Sequence, residues 1–520
     1  MILLYALSRS LAPSTLATST NTSSLFDPVT SECIDINGCR TTTGILWSCL
    51  SVILICTWVA IHPDIPRVGT HSALVVYKNI QLMVIAILAP EIIILWAMRQ
   101  WYSARAIAEK YKDYGWGMSH AFFVIMGGFA LYEGDTFHGY LWNDGDVIYS
   151  EDGKRQYSPT EREEYVEKIK THIQKVQDCS PQKNTPKFNV VVSHPLDVLP
   201  STSHPVLIQD AIQPQESYNP TFGTPEPSYL LEYFLQKGYI TITEDEIKDK
   251  SHADFIAKSI ALIQTTWFIL QVAARAAEHL AITELEIITV GFALLNFGTY
   301  VFWWNKPLRV QYPVRVTWQQ QELPISQSSK SEGSCMEAVQ KGMAAIWGYI
   351  FEGESRPNNL PLAVQLISLP LWMAWNIILQ CIDLFDDKPV TDEFPTRLEE
   401  DPLRLYITVY SIAAAFGAIH CIPWSFQFAT HTEQLLWRIC AVAVAAAPIA
   451  MGCVHWWQKE LRHSTSEWLE VLIVMTAILL SIFYVFSRVT LIILALMALR
   501  DLSPSAYQTV QWTTFVPHIG

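Results

Sequence analysis

The sequence predicts an all-α membrane protein: a bundle of eight or nine transmembrane helices with an α-rich cytosolic insert. Three observations carry this. Apolar blocks near the bilayer-crossing length of about 20 residues recur along the chain. Only 16% of residues are charged and 50% are hydrophobic, with a mean hydropathy of +0.20; a soluble chain of ordinary composition carries about a quarter charged. The basic and acidic loops also segregate, as the positive-inside rule requires of a multi-pass protein.

Residues 1–42 read as an N-terminal lumenal or extracellular segment. The opening Met-Ile-Leu-Leu-Tyr-Ala-Leu is a candidate signal peptide with Thr15-Leu16-Ala17 as cleavage site, although its apolar run is short. Asn21-Thr22-Ser23 is a sequon, so Asn21 is the glycosylation candidate. Cys33 and Cys39 flank a polar stretch and form the disulfide candidate. Zinc is disfavoured there by the spacing and the lack of a nearby His.

Residues 43–132 hold the first transmembrane helices. The blocks are 43–61, 80–98 and a short one at 118–132, which contains Gly127-Gly128 and either spans or is buried among other helices. The cytosolic insert is 133–253. In it Ser158-Pro159-Thr160-Glu161 opens a charged helix to about residue 176. Thr224-Pro225 leads into a second helix at 229–236, stopped by Gly238. Thr243 with Glu246 caps a third, expected to run into the next span. Between them, 182–221 is rich in Pro, Ser and Gln and reads as extended loop.

Residues 254–305 form a transmembrane hairpin of two helices, 255–277 and 282–304. A cytosolic loop, 306–359, carries Lys306, Arg309, Arg315, Lys330, Lys341 and Arg356. The C-terminal transmembrane helices occupy 360–500, with blocks at 360–382, 403–424, 434–456 and 468–486 and an apolar continuation past Arg488. A tail, 501–520, closes the chain. The acidic loop 383–401 is expected in the lumen, opposite 306–359. The localisation expected is integral and multi-pass, in the endomembrane system or the plasma membrane.

Ionisable groups within apolar blocks are the default place to look for function. Glu91 follows Pro90 inside the second block: a proton or cation site, or a carboxylate paired with an Arg of a neighbouring helix. Gln264, Gln271 and Arg275 share one helical face. A short turn then brings Arg275 within reach of Glu284 or Glu286. His420 lies in an apolar run and is either a satisfied core residue or a ligand. Glu91, Gln271, Arg275, Glu286 and His420 are the binding candidates. Arg438, Glu470 and Arg488 read as structural pairings.

Several classes are excluded. The formal net charge of −14 argues against nucleic acid as partner. No Walker A, dinucleotide fingerprint, nucleophile elbow or kinase set is present, so a primary active transporter is not expected. No metal spacing appears, and no cofactor is implied. Asp383, Asp386 and Asp387 resemble half of a diphosphate-binding magnesium site, but a second aspartate motif is missing.

Five stretches carry a family likeness: 33–66, 115–128 (Gly-Trp-Gly-Met-Ser-His through Met-Gly-Gly), 249–308, 416–424 and the tail Val516-Pro-His-Ile-Gly520. In these the chain resembles a fungal multi-pass integral membrane protein family of unknown function. The resemblance implies a helical membrane protein, often with a signal-like N-terminus, in the context of fungal secondary metabolism. It implies no chemistry.

The functional expectation is a non-enzymatic carrier, channel or sensor for a small molecule, with Glu91, Gln271, Arg275 and Glu286 lining one polar cavity. The alternative is a membrane-embedded enzyme acting on a lipophilic or isoprenoid-derived substrate. A scaffold that recruits partners through the large insert is a third reading. The partners expected are membrane lipid and a small lipophilic molecule.

Overall fold

In apolar surroundings a backbone must satisfy its own N–H and C=O groups, so long apolar runs fold as helices. The computed structural model describes residues 39–142, 147–148, 158–178, 229–251, 254–318, 335–350, 362–383, 403–461 and 467–510. Asn21, Cys33, the 182–221 loop, the acidic residues 386–401 and the tail from 511 lie outside these, as does the side chain of Glu470. The chain divides into two compact units.

The first unit comprises 1–128, 243–313 and 325–520. It opens with α1 (Thr42–Leu54), capped by the Thr41 hydroxyl, and a π-helical turn, Ile55–Val59. Then follow α2 (Ser72–Leu88), α3 (Pro90–Lys110) and the short α4 (Met118–Ile125). Six helices are long and apolar enough to cross a membrane: Thr42–Val59, Ile256–Ala277, Glu284–Trp303, Arg404–Ser425, His431–Trp457 and Val471–Ala498. α2 and α3 are bent by 112° at Pro90 and count as a seventh span only if taken as one broken span. Among the described residues the count is therefore six or seven, where the sequence suggested eight or nine. The second block is not one continuous helix; it contains the junction of two helices.

The segment 118–132 is not one helix either. α4 ends in a Schellman turn, with Gly127 at φ +79° and Gly128 N–H donating to Phe123 O at 2.8 Å. A Cβ on Gly128 would lie 2.2 Å from the Phe123 ring, so only glycine fits. The chain then leaves as a strand.

The second unit comprises 129–242 and 314–324. It contains a four-stranded sheet of β1 (Phe129–Glu133), β2 (Thr136–Tyr140), β3 (Val147–Ile148) and β4 (Val314–Thr317), ordered β3-β2-β1-β4. β1 pairs antiparallel with β2 and parallel with β4. The expectation of an all-α chain is corrected here: β1 is buried from Phe129 to Tyr132 with no polar alternation to mark it as a strand. Helix α5 (Pro159–Asp178) starts at the expected capping box, with Ser158 and Glu161 hydrogen-bonded reciprocally. It buries Tyr165, Ile169 and Ile173, one stripe at helical spacing. α6 (Leu230–Gln236) buries Leu230, Leu231 and Phe234. Glu133 takes hydrogen bonds from Tyr165 at 3.2 Å and Lys168 at 3.3 Å.

Back in the first unit, Thr243 and Glu246 cap α7 (Glu244–Asp249). That helix does not run on; a separate α8 (Asp254–Ala277) begins the hairpin with α9 (Glu284–Trp303). α8 exposes Ile256, Ile260, Ile263, Trp267 and Leu270 and buries Ala261, Phe268 and Val272. An outward stripe of large apolar residues is the arrangement lipid favours and water does not. Next come α10 (Cys335–Ile350) and α11 (Leu362–Asp383), then α12 (Leu403–Ile419), α13 (His431–Leu461) and α14 (Glu467–Ala498). On α14 the exposed face is again apolar: Val471, Met475, Leu479, Ile482 and Phe486.

Candidate functional site

A proline inside a membrane helix removes one N–H and leaves carbonyls of the preceding turn without intrahelical donors. At the Pro90 break, α2 ends with the carbonyls of Ile87 and Leu88 unpaired by its own backbone. Arg488 of α14 supplies the donors: Nε to Leu88 O and Nη2 to Ile87 O, both at 3.3 Å. A cation at a helix C-terminus also opposes the negative end of the helix dipole.

The third nitrogen of the same guanidinium, Nη1, lies 2.7 Å from Nε2 of His420. A guanidinium only donates, so Nε2 must accept. The ring proton is then on Nδ1, which faces Phe416 O at 3.2 Å. His420 is thereby a neutral imidazole in one defined tautomer. The faces of Phe416 and Phe292 lie 4.6 and 5.5 Å from the Arg488 guanidinium and add cation–π attraction. Close approach of α12 to α13 holds this geometry: a Cβ on Gly417 would meet Val444 O at 2.4 Å.

Glu91, in the first turn of α3, completes the group. The Tyr484 side chain lies beside its carboxylate. Its Oε2 is buried and has no hydrogen-bond partner among the described residues. Arg488 acts on Glu91 electrostatically. Glu91 and His420 are thus brought together, through an arginine that the sequence offered only as a structural residue.

Arg275 and Glu286 belong to a different cluster, at the start of α9. Glu286 is bidentate to Arg40, at 2.5 and 3.2 Å, and closes a capping box with Thr283. Arg275 does not bond Glu286; it donates to the carbonyls of Ala281 and Gln508 at 2.6 Å and of Ser505 and Ala506 at 3.2 Å. Arg40 also donates from Nε to Ala506 O. The expected Arg275–Glu286 contact is therefore replaced by a clamp that ties residues 505–508 to the hairpin. Gln271 lies half-buried one turn before Arg275. Cys39 is disulfide-bonded.

A third cluster went unseen in the sequence because its charges stand just outside the apolar blocks. Lys306 is fully buried, with Nζ 2.7 Å from Asp64 and 2.8 Å from Gln100. The rings of Trp96 and Trp303 flank it at 4.6 Å each. Burial pushes the Asp64 carboxyl up and the Lys306 ammonium down, and their mutual attraction opposes both shifts. The Nδ1–H of His62 donates to Ala60 O, 2.8 Å away. Burial, with Lys258 and Lys306 nearby, holds its imidazole well below the usual range. Lys258 donates to the carbonyls of Trp304 and Lys306, capping α9. The Trp-Trp-Asn-Lys run that closes the hairpin is the one sequence signal for this site.

Two cavities of about 20 Å³ lie in the first unit. Neither is lined by Glu91, Gln271, Arg275 or Glu286, so these four do not share either cavity. Among the described residues, no three His, Cys, Asp or Glu side chains group as metal ligands.

Comparison with known proteins gives one family. No curated protein and no solved structure matches the chain. Residues 209–354 match a family model described as a family of unknown function (DUF8562). That match takes in the α8–α9 hairpin with Arg275, Glu286 and Lys306, and leaves out Glu91, His420 and Arg488.

Proposed function

We propose that this protein is a non-enzymatic, multi-pass carrier for a small molecule in the endomembrane system or plasma membrane, and that it moves at the Pro90 break. The observation that carries this is Arg488. One buried guanidinium joins the end of α2 to His420, just past the end of α12, beside a carboxylate with an unused oxygen. Discontinuous membrane helices with charges at the break are the usual place for a carrier to bind and rock. Arg488 also has two sets of acceptors in reach of its field: the Ile87 and Leu88 carbonyls, and Glu91. Exchange between them would shift α3 relative to α14, which is the two-state element that alternating access needs.

The test is a deletion strain complemented with wild type, Glu91→Gln or Arg275→Gln, with protein levels measured. Metabolites are profiled inside and outside the cells. The expected result is one compound, chemically unchanged, redistributed across the membrane in the deletion and in Glu91→Gln. Arg275→Gln is expected to lower protein level, in keeping with a clamp. Accumulation of an unmodified precursor would overturn the carrier reading in favour of an enzyme for a lipophilic substrate.

A further inference from the structure

In a continuous helix the carbonyl of Ala86 would accept from the N–H of residue 90, and Pro90 has none. Ala86 lines the cavity beside the break, together with Thr57, Pro90, Phe292, Asn296 and Thr299. A cavity of about 20 Å³ seats one water molecule. Asn296 is 2% exposed, and neither its Nδ2 nor its Oδ1 has a partner among the described residues. Thr57 and Thr299 commit their hydroxyl protons to Ile53 O at 2.8 Å and Leu295 O at 3.0 Å. The wall therefore offers four oxygen acceptors and one donor, Asn296 Nδ2. A guest that both donates and accepts satisfies such a wall; a bare cation would leave Nδ2 unmatched.

A second cavity of the same size is lined by Thr57, Trp58, Asn79 and Arg309. Thr57 lines both cavities. It sits in the π-helical turn Ile55–Val59, a widened turn often found at functional sites. Glu91 lines neither cavity, but it follows the lining residue Pro90 directly in the chain and keeps a buried Oε2 with no partner among the described residues. The groups that face Glu91 are the Tyr484 hydroxyl and the Arg488 guanidinium, with His420 behind the latter.

We propose that Thr57 and Asn296 seat a short file of water molecules that carries protons between the Arg309 face and Glu91. The inference rests on the carrier reading and makes that carrier proton-coupled. Each step breaks one O–H bond and forms one on the next oxygen. Glu91 Oε2 takes the last proton and releases it to the opposite side of the membrane as one proton enters the file at the Arg309 face, with no oxidation or reduction.

The test uses the full-length protein in phosphatidylcholine–phosphatidylglycerol vesicles with an enclosed pH dye and an imposed pH step. Wild type is expected to collapse the step. Asn296→Leu and Thr57→Val are expected to slow it about tenfold, the scale of one hydrogen bond lost from the file. Asn296→Ser should keep most of the rate, and Glu91→Gln should abolish it. If Asn296→Leu fails to fold, Thr57→Val carries the test. Infrared difference spectra then follow hydrogen–deuterium exchange at the Glu91 carboxyl, expected to be slower in Thr57→Val than in wild type. Equal proton flux in the folded variants overturns the water file, as does a flux that follows sodium at constant pH gradient. The same variants in the deletion strain separate the two readings. Metabolite redistribution without proton flux overturns the file and leaves the carrier; proton flux without redistribution supports the file and overturns the carrier.

Discussion

Arg488 donates from Nη1 to Nε2 of His420 at 2.7 Å, and both side chains are fully buried. The same guanidinium holds the last two carbonyls of α2, so one charge serves three acceptors. Arg488→Met would leave all three without a donor. At about 1–3 kcal/mol for each orphaned buried acceptor, the loss should reach several kcal/mol. Thermal unfolding in detergent should show a large fall in Tm. His420→Phe removes one acceptor and should lower Tm less; the reverse order would refute the assignment of Arg488 as the hub.

Pro90→Ala restores the N–H that Ala86 O lacks. The break should then straighten, because the substitution returns the missing hydrogen bond and removes the ring clash with the preceding turn. Thermal stability is expected to stay level or rise, while complementation of the deletion strain is lost. A stable variant that complements fully would show that the break is not the moving part.

Glu286→Ala removes both the carboxylate facing Arg40 and the side chain that closes the Thr283 cap. Breaking a buried pair costs about 3 kcal/mol and a lost cap about 1 kcal/mol. Because residues 505–508 hang from Arg40 and Arg275, limited proteolysis near the C-terminal end of α14 should become faster than in wild type. An unchanged digestion pattern would argue against the clamp.

His62 is buried, and its imidazole is held well below its ordinary range, chiefly by burial and next by Lys258. The folded state therefore keeps it neutral while an unfolded chain binds a proton below about pH 6.5. Its contribution is present above that pH and is lost as pH falls, at up to about 1.4 kcal/mol per pH unit. Unfolding measured from about pH 8 to 5 should show this slope, and His62→Gln should flatten it. Equal slopes in the two proteins would mean that other groups set the acid sensitivity.

The membrane class was legible because it depends on run length alone: the hairpin helices begin and end within a few residues of the apolar blocks. The capping boxes at Ser158 and Thr243 were legible because a cap is chemistry between residues three apart. Strand β1 was not, since a short buried strand and a buried helix segment share the same apolar composition. Glu91 and His420 stood out as charges or rings among apolar neighbours, but their connection did not.

Sequence by itself determined where this chain is apolar and where its capped helices and the hairpin start. Tertiary structure alone decided which charge meets which. His420 and Arg488 lie 68 positions apart, Arg40 and Glu286 lie 246 apart, and Asp64 and Lys306 lie 242 apart. The physical reason is range. Helix formation and capping are settled within a turn or two of backbone, whereas a buried charge is satisfied by whatever donor or acceptor helix packing brings to it.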